Sequence, residues 1–151
     1  MCLAKKCETV KDTGLPEICE FHKECECEKF VILSLRPQWW KLIISGEKTL
    51  EMRKTYPTRF GNRPFTVLVY ECGTGKIVGQ FKCSGRMRCQ NLEDVCRHSS
   101  KTCISEGAAK QYMGNKPAYL WQVECVREYA MPRAISDYNL KRPPQSWMYK
   151  K

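Results

Sequence analysis

Long apolar runs are missing from this sequence. The longest strong one, Phe30–Leu35, is short, whereas a membrane-spanning helix needs about 20 apolar residues. No membrane partner is therefore expected. Met1–Val10 is polar and charged, without the apolar core of an export signal. Internal repeats and low-complexity tracts are also lacking, which excludes solenoids and linker arrays. Acidic residues are scarce: there are 16 Asp+Glu against 26 Lys+Arg.

The scarcity of acids is uneven. Residues 1–29 hold five of the basic residues and seven of the acidic ones, which leaves 21 basic against nine acidic in 30–151, a surplus of +12. A body this basic favours a polyanionic partner, although net charge also serves solubility.

Cysteine is abundant, with 11 in 151 residues. The count is odd, no export signal accompanies it, and Cys72, Cys83 and Cys125 fall in apolar or alternating segments. Free thiols in such places behave as small hydrophobes. Reduced cysteines and a cytoplasmic location are the expectation.

The chain divides at residue 30. Residues 1–29 have no periodic apolar pattern and read as a cysteine-rich appendage; 30–151 reads as one domain, long enough for a core of its own. Phe30–Leu35 reads as a buried strand. Pro37 suits the first position of a short helix over Gln38–Ser45, with Trp40, Ile43 and Ile44 on one face and Gly46 as its left-handed stop. Lys48–Arg53, Phe65–Tyr70, Lys76–Cys83, Tyr119–Val126 and Ser146–Tyr149 read as strands, with a hairpin turn at Gly73-Thr74-Gly75. Asn91–His98 and Ser105–Met113 read as helices, the second capped by Ser105 and stopped by Gly114. The expected class is α+β: a mixed sheet curled towards a barrel, with two to three short helices.

The most informative segment runs from Ser34 to Arg53. It contains Ser34-Leu-Arg-Pro, then a helix, then Gly46-Glu-Lys-Thr-Leu-Glu-Met-Arg53. This segment resembles the ASCH family, a branch of the PUA-like superfamily, whose strand ending in Ser-x-Arg-Pro is followed by Gly-x-Lys-x-x-Glu-x-Arg. The likeness continues through Val67–Tyr70, Gly75–Phe81, Tyr119–Val126 and Pro143-Pro-Gln-Ser-Trp-Met-Tyr149. It is nearest to small forms of the domain in phages and low-GC Gram-positive bacteria. The resemblance implies a PUA-like barrel with a cleft beside the Gly-x-Lys-x-x-Glu-x-Arg turn, binding RNA or modified nucleotides. It also implies an alternative, a small hydrolase of N4-acetylcytidine or a ribonuclease. In the amidohydrolase relatives the third residue after the lysine is a nucleophilic threonine, and here it is Glu51. Thr49 sits two residues away, several Å out of place for attack. Glu71 is a further candidate acid or base. A binding module is favoured over an enzyme for want of that hydroxyl.

The residues themselves point the same way. Strand alternation directs Leu50 and Met52 to the core and projects Glu51 and Arg53 together from the other face, about 7 Å apart. An acceptor beside a rigid fork of donors suits a base edge or a phosphate. Arg36, Lys48, Glu51 and Arg53 are the candidate binding residues, with Gln145, Ser146 and Trp147 from the last turn. Substituting Arg53 or Glu51 is expected to weaken binding without unfolding the domain. A solvated charged face is the plainer alternative. Among the tryptophans, Trp40 and Trp121 fit a core, and Trp147 is the better candidate for stacking on a base.

The appendage offers Cys19, His22, Cys25 and Cys27, donor types that suit a structural zinc ion. Their spacing lacks paired Cys-x-x-Cys knuckles. A tail without metal is the simpler reading.

Overall fold

The computed structural model describes residues 30–150. The proposed appendage, with Cys19, His22, Cys25 and Cys27, lies outside the described residues.

Strand β1 (Phe30–Leu35) is buried along its whole length, as expected of a short β-branched run covered on both faces. Helix α1 (Pro37–Ser45) starts with Pro37, whose missing N–H costs nothing in the first turn, and ends at Gly46 with φ +83°. Trp40 and Ile43 enter the core, whereas Ile44 is 40% exposed, so the apolar stripe is narrower than its sequence spacing suggested. The remaining strands are β2 (Leu50–Arg53), β3 (Phe65–Glu71), β4 (Lys76–Cys89), β5 (Ala118–Ala134) and β6 (Trp147–Lys150). Three further short helices follow β4: α2 (Leu92–Cys96), α3 (Ser99–Thr102) and α4 (Glu106–Met113). Ser105 caps α4 by accepting from Ala108 N–H, and Asn91 caps α2 by accepting from Asp94 N–H. Helix α3 and a 3₁₀ turn at Ile135–Tyr138 were not foreseen in the sequence; both are only one turn long. None of the described helices is long and apolar enough to cross a membrane.

The six strands form one mixed sheet, in the order β2-β5-β4-β3-β1-β6, curled into a half-barrel. Among the described residues only β1 and β3 run parallel; every other pair is antiparallel. The inside of the curl holds Val31, Leu33, Leu35, Val67, Val69, Phe81, Cys83, Trp121 and Val123, with Trp40 and Ile43 of α1 packed over them. Gly79 lets α1 approach: a Cβ there would collide with the Trp40 ring and the Arg127 carbonyl. The outside carries two smaller cores. One packs Leu50, Met52, Cys89 and Leu120 against α2 and α4; the other joins Ile32, Leu68 and Ile77 to Tyr129 and Tyr138.

Candidate functional site

Strand alternation places Leu50 and Met52 in the outer core, as their spacing required. Glu51 and Arg53 therefore point to the opposite face. That face is the inside of the curl, and it is not open solvent. Glu51 is 5% exposed and Lys48 1%.

These side chains meet in a closed network. The Lys48 ammonium lies 3.3 Å from Glu51 Oε2, donates to the Thr102 carbonyl of α3, and sits 4.9 Å from the centre of the Trp39 ring. Arg53 spends its fork three ways: Nε donates to Glu51 Oε1 at 2.9 Å, Nη2 to the Ser34 carbonyl at 2.8 Å, and Nη1 to Ser146 Oγ at 3.1 Å. Ser34 in turn donates its hydroxyl to the Pro144 carbonyl at 2.6 Å and its N–H to the Ser146 carbonyl at 2.9 Å. The motif thus ties β2 to α3, to the end of β1 and to the turn before β6. Of the sequence-predicted residues, Lys48, Glu51, Arg53 and Ser146 come together. Arg36, exposed as the N-cap residue of α1, and the exposed Gln145 have no part in these hydrogen bonds.

Burial changes the expected cost of substitution. A lone charge left inside the protein is destabilising by about 3–5 kcal/mol. Replacing Glu51 leaves Lys48 and Arg53 facing one another without their carboxylate. Substitution of Glu51 is therefore expected to cost stability as well as binding.

Trp147 donates its indole N–H to Thr55 Oγ1 at 2.8 Å and packs edge-on to Trp121 and Tyr149. The Tyr149 hydroxyl accepts from Thr58 N–H at 2.8 Å and Arg59 N–H at 3.1 Å. The Arg59 guanidinium lies 4.2 Å from the centre of that ring. Strand β6 thereby holds the 54–64 loop. Thr49 is exposed, with its backbone bonded to Lys101 and Val123, and Glu71 is half-buried opposite Lys76 at the β3–β4 turn.

Beside the network the half-barrel opens into a cleft of about 490 Å³, lined by Tyr56, Asn62, Ser84, Gly85, Arg86 and Arg88. A β-bulge makes it. Phe81 and Cys83 of β4 face the inside of the curl. The register with β5 slips between Cys83 and Arg86, and an extra residue reverses the alternation. Beyond the bulge Met87 and Cys89 pack outside, and Arg86 and Arg88 turn inward. Residues opposite one another on neighbouring strands share a face. Glu51, Trp121 and Arg86 form one such row across β2, β5 and β4, and Arg53, Tyr119 and Arg88 form the next. The buried ionic network and the open basic cleft thus lie on one surface, joined through Trp121 and Tyr119.

Tyr56 is the floor of this joint. Its hydroxyl lies 3.8 Å from Cys83 Sγ, and its ring stacks on Tyr119 and meets Phe65 and Trp121 edge-on. The guanidinium of exposed Arg86 sits 4.6 Å from the ring centre. Burial pushes the phenol well above its ordinary value of 10.0, with the neighbouring Cys83 adding to the rise and Arg86 opposing it. Burial likewise raises the Cys83 thiol above 9.0. Tyr56, Asn62, Arg86 and Arg88 were not singled out in the sequence. The only trace there is the spacing of Lys82, Arg86 and Arg88 along one strand, which without the bulge points to the wrong face. Among the described residues, no group of three or more His, Cys, Asp or Glu is placed to hold a metal ion.

The family model of the ASCH domain matches residues 33–137. The chain belongs to the ASCH domain family. No curated protein matches it. Among solved structures it is similar to the crystal structure of ASCH from Zymomonas mobilis, at 19% identity and a TM-score of 0.69, covering 81% of this chain and 87% of that one. A serine-to-alanine mutant of the Zymomonas protein gives a TM-score of 0.69 at 18% identity, covering 81% of this chain and 88% of that one. A tyrosine-to-phenylalanine mutant gives the same score at 19%, covering 81% and 90%. At such identity the likeness is one of fold: the half-barrel is that of an ASCH domain, of the PUA-like class.

Proposed function

We propose that this ASCH domain binds RNA or a modified nucleotide on the inner face of its half-barrel, in the cleft beside the Gly-x-Lys-x-x-Glu-x-Arg network. One observation carries the reading. The bulge in β4 turns Arg86 and Arg88 into a concave surface that already holds Arg53 and the aromatic floor of Tyr56 and Tyr119. Inward-facing arginines beside aromatic rings suit a ligand that is anionic and flat at once. The +12 surplus of residues 30–151 adds long-range attraction for a polyanion. In this reading Lys48, Glu51 and Arg53 shape the cleft from behind. Arg36, Gln145, Ser146 and Trp147 belong to the same end of the domain, and Ser146 and Trp147 do so by holding Arg53 and the 54–64 loop in place.

The test is incubation of the full chain with total cellular RNA and with acylated cytidines, following retention on the protein and turnover by mass. Retention of RNA without turnover is the expected result. Release of acyl groups at a catalytic rate would favour a hydrolase instead, although Glu51 stands where the amidohydrolase relatives have their threonine.

A further inference from the structure

The cleft contains a feature that binding of RNA in general does not require. Tyr56 lines it, yet is only 8% exposed, and the guanidinium lying over its ring belongs to Arg86, an exposed residue. The ring is fixed from behind, by Cys83 at its hydroxyl and by Tyr119, Phe65 and Trp121 around it. Arg86 is held by fewer contacts: its place over the ring, worth about 0.5–1 kcal/mol for an exposed cation, and a hydrogen-bonding contact with the Tyr56 hydroxyl. A rigid aromatic floor thus carries a lightly held cationic cover.

Building on the binding proposed above, we infer that Arg86 is an exchangeable lid on a seat for one unpaired base, and that the cleft takes a phosphate-bearing nucleotide in preference to a free nucleoside. A base stacking on Tyr56 displaces the guanidinium. Base–aromatic stacking, worth about 1–3 kcal/mol, replaces the cation–ring attraction, and the phosphate replaces the Tyr56 hydroxyl as partner of the guanidinium. The freed guanidinium, with Arg88 two residues along the same face, then meets the 5′-phosphate of that nucleotide. Asn62 also lines the cleft, and its amide offers a donor and an acceptor to a base edge. A cleft of about 490 Å³ is in the range that takes a ligand the size of one nucleotide.

The exchange makes a prediction of opposite signs for one surface residue. Dissociation constants of the four nucleoside 5′-monophosphates and of the four nucleosides are measured by NMR titration of the full chain and of Arg86→Ala. The parent chain prefers monophosphates to nucleosides. Arg86→Ala uncovers the ring and removes a phosphate donor, so nucleosides bind as well or better, monophosphates bind more weakly, and the preference falls by roughly tenfold or more. A preference unchanged in Arg86→Ala overturns the inference, and so does equal weakening of both ligand classes. Absence of any binding by the parent chain at millimolar concentration overturns it as well. Tyr56→Leu, checked for folding by its melting curve, stays apolar and loses the stacking face; it binds both classes at least tenfold more weakly. RNA retained by the parent chain while both variants behave as the parent sinks the lid and seat alone, whereas failure of the parent to retain RNA sinks the broader reading.

Discussion

Arg53 and Ser146 stand 93 residues apart in the chain, yet Arg53 Nη1 donates to Ser146 Oγ at 3.1 Å. The bond closes a circuit that starts at Lys48, passes through Glu51, and ends on the turn before β6. The ionic side chains of the Gly-x-Lys-x-x-Glu-x-Arg motif are therefore spent on one another and on the elements around them. Their burial makes them a fixed wall, and the arginines facing the cleft are the ones proposed to meet the ligand.

Glu51→Gln should accordingly lower unfolding stability by about 3–5 kcal/mol, because it strands Lys48 and Arg53 in a buried setting. Urea denaturation of the parent and the variant measures the difference. Leu50→Asp, which buries a carboxylate among Met52, Cys89 and Leu120, should be at least as damaging.

Tyr149→Phe removes one hydroxyl that accepts from both Thr58 N–H and Arg59 N–H. A stability loss of about 1–3 kcal/mol is expected. Amide hydrogen exchange should accelerate most in the 54–64 loop, and RNA affinity should fall because Tyr56 and Asn62 sit on that loop. Uniform acceleration across the domain would instead mean that β6 does not hold the loop in particular.

Alkali should destabilise the fold. Burial raises Cys83 and Cys89 above the thiol value of 9.0, and Tyr56 and Tyr112 above the phenol value of 10.0; Tyr138 is pushed up to about 12. A raised value means that the neutral form is favoured in the folded state. The stabilisation is thus complete below about pH 9 and is lost as pH rises through the folded-state values. The contribution of these groups to melting temperature should be flat across neutral pH and decline above about pH 9. Cys83→Ser should soften the first part of that decline.

Much of the frame was legible in the sequence because local chemistry and global fold agree there. Pro37 and Gly46 bracket α1, Ser105 and Gly114 bracket α4, and Phe30–Leu35 is too apolar to lie anywhere but between other layers. The buried ends of the motif could not be read. Alternation says that Glu51 and Arg53 share a face, but only the curl of the sheet decides that this face is internal. The cleft was hidden for a sharper reason. A single extra residue near Ser84-Gly85 reverses the inside and outside of the rest of β4, and nothing local announces it beyond one glycine. The full reach of β4 and β5 was underestimated likewise, since bulges break the alternation by which strands are recognised.

The central claim is that Arg86 and Arg88 face a bound polyanion across the cleft. The measurement that tests it most directly is the salt dependence of single-stranded RNA binding by the parent chain and by the Arg86→Ala/Arg88→Ala double variant. Both side chains are exposed, so folding should survive the change. Each phosphate contact contributes about 0.7 to the slope of log affinity against log salt for a single strand. The account predicts a steep slope for the parent and one shallower by about 1.4 for the double variant, with weaker binding at low salt. Identical slopes and affinities for the two proteins would contradict it and place the RNA on another surface.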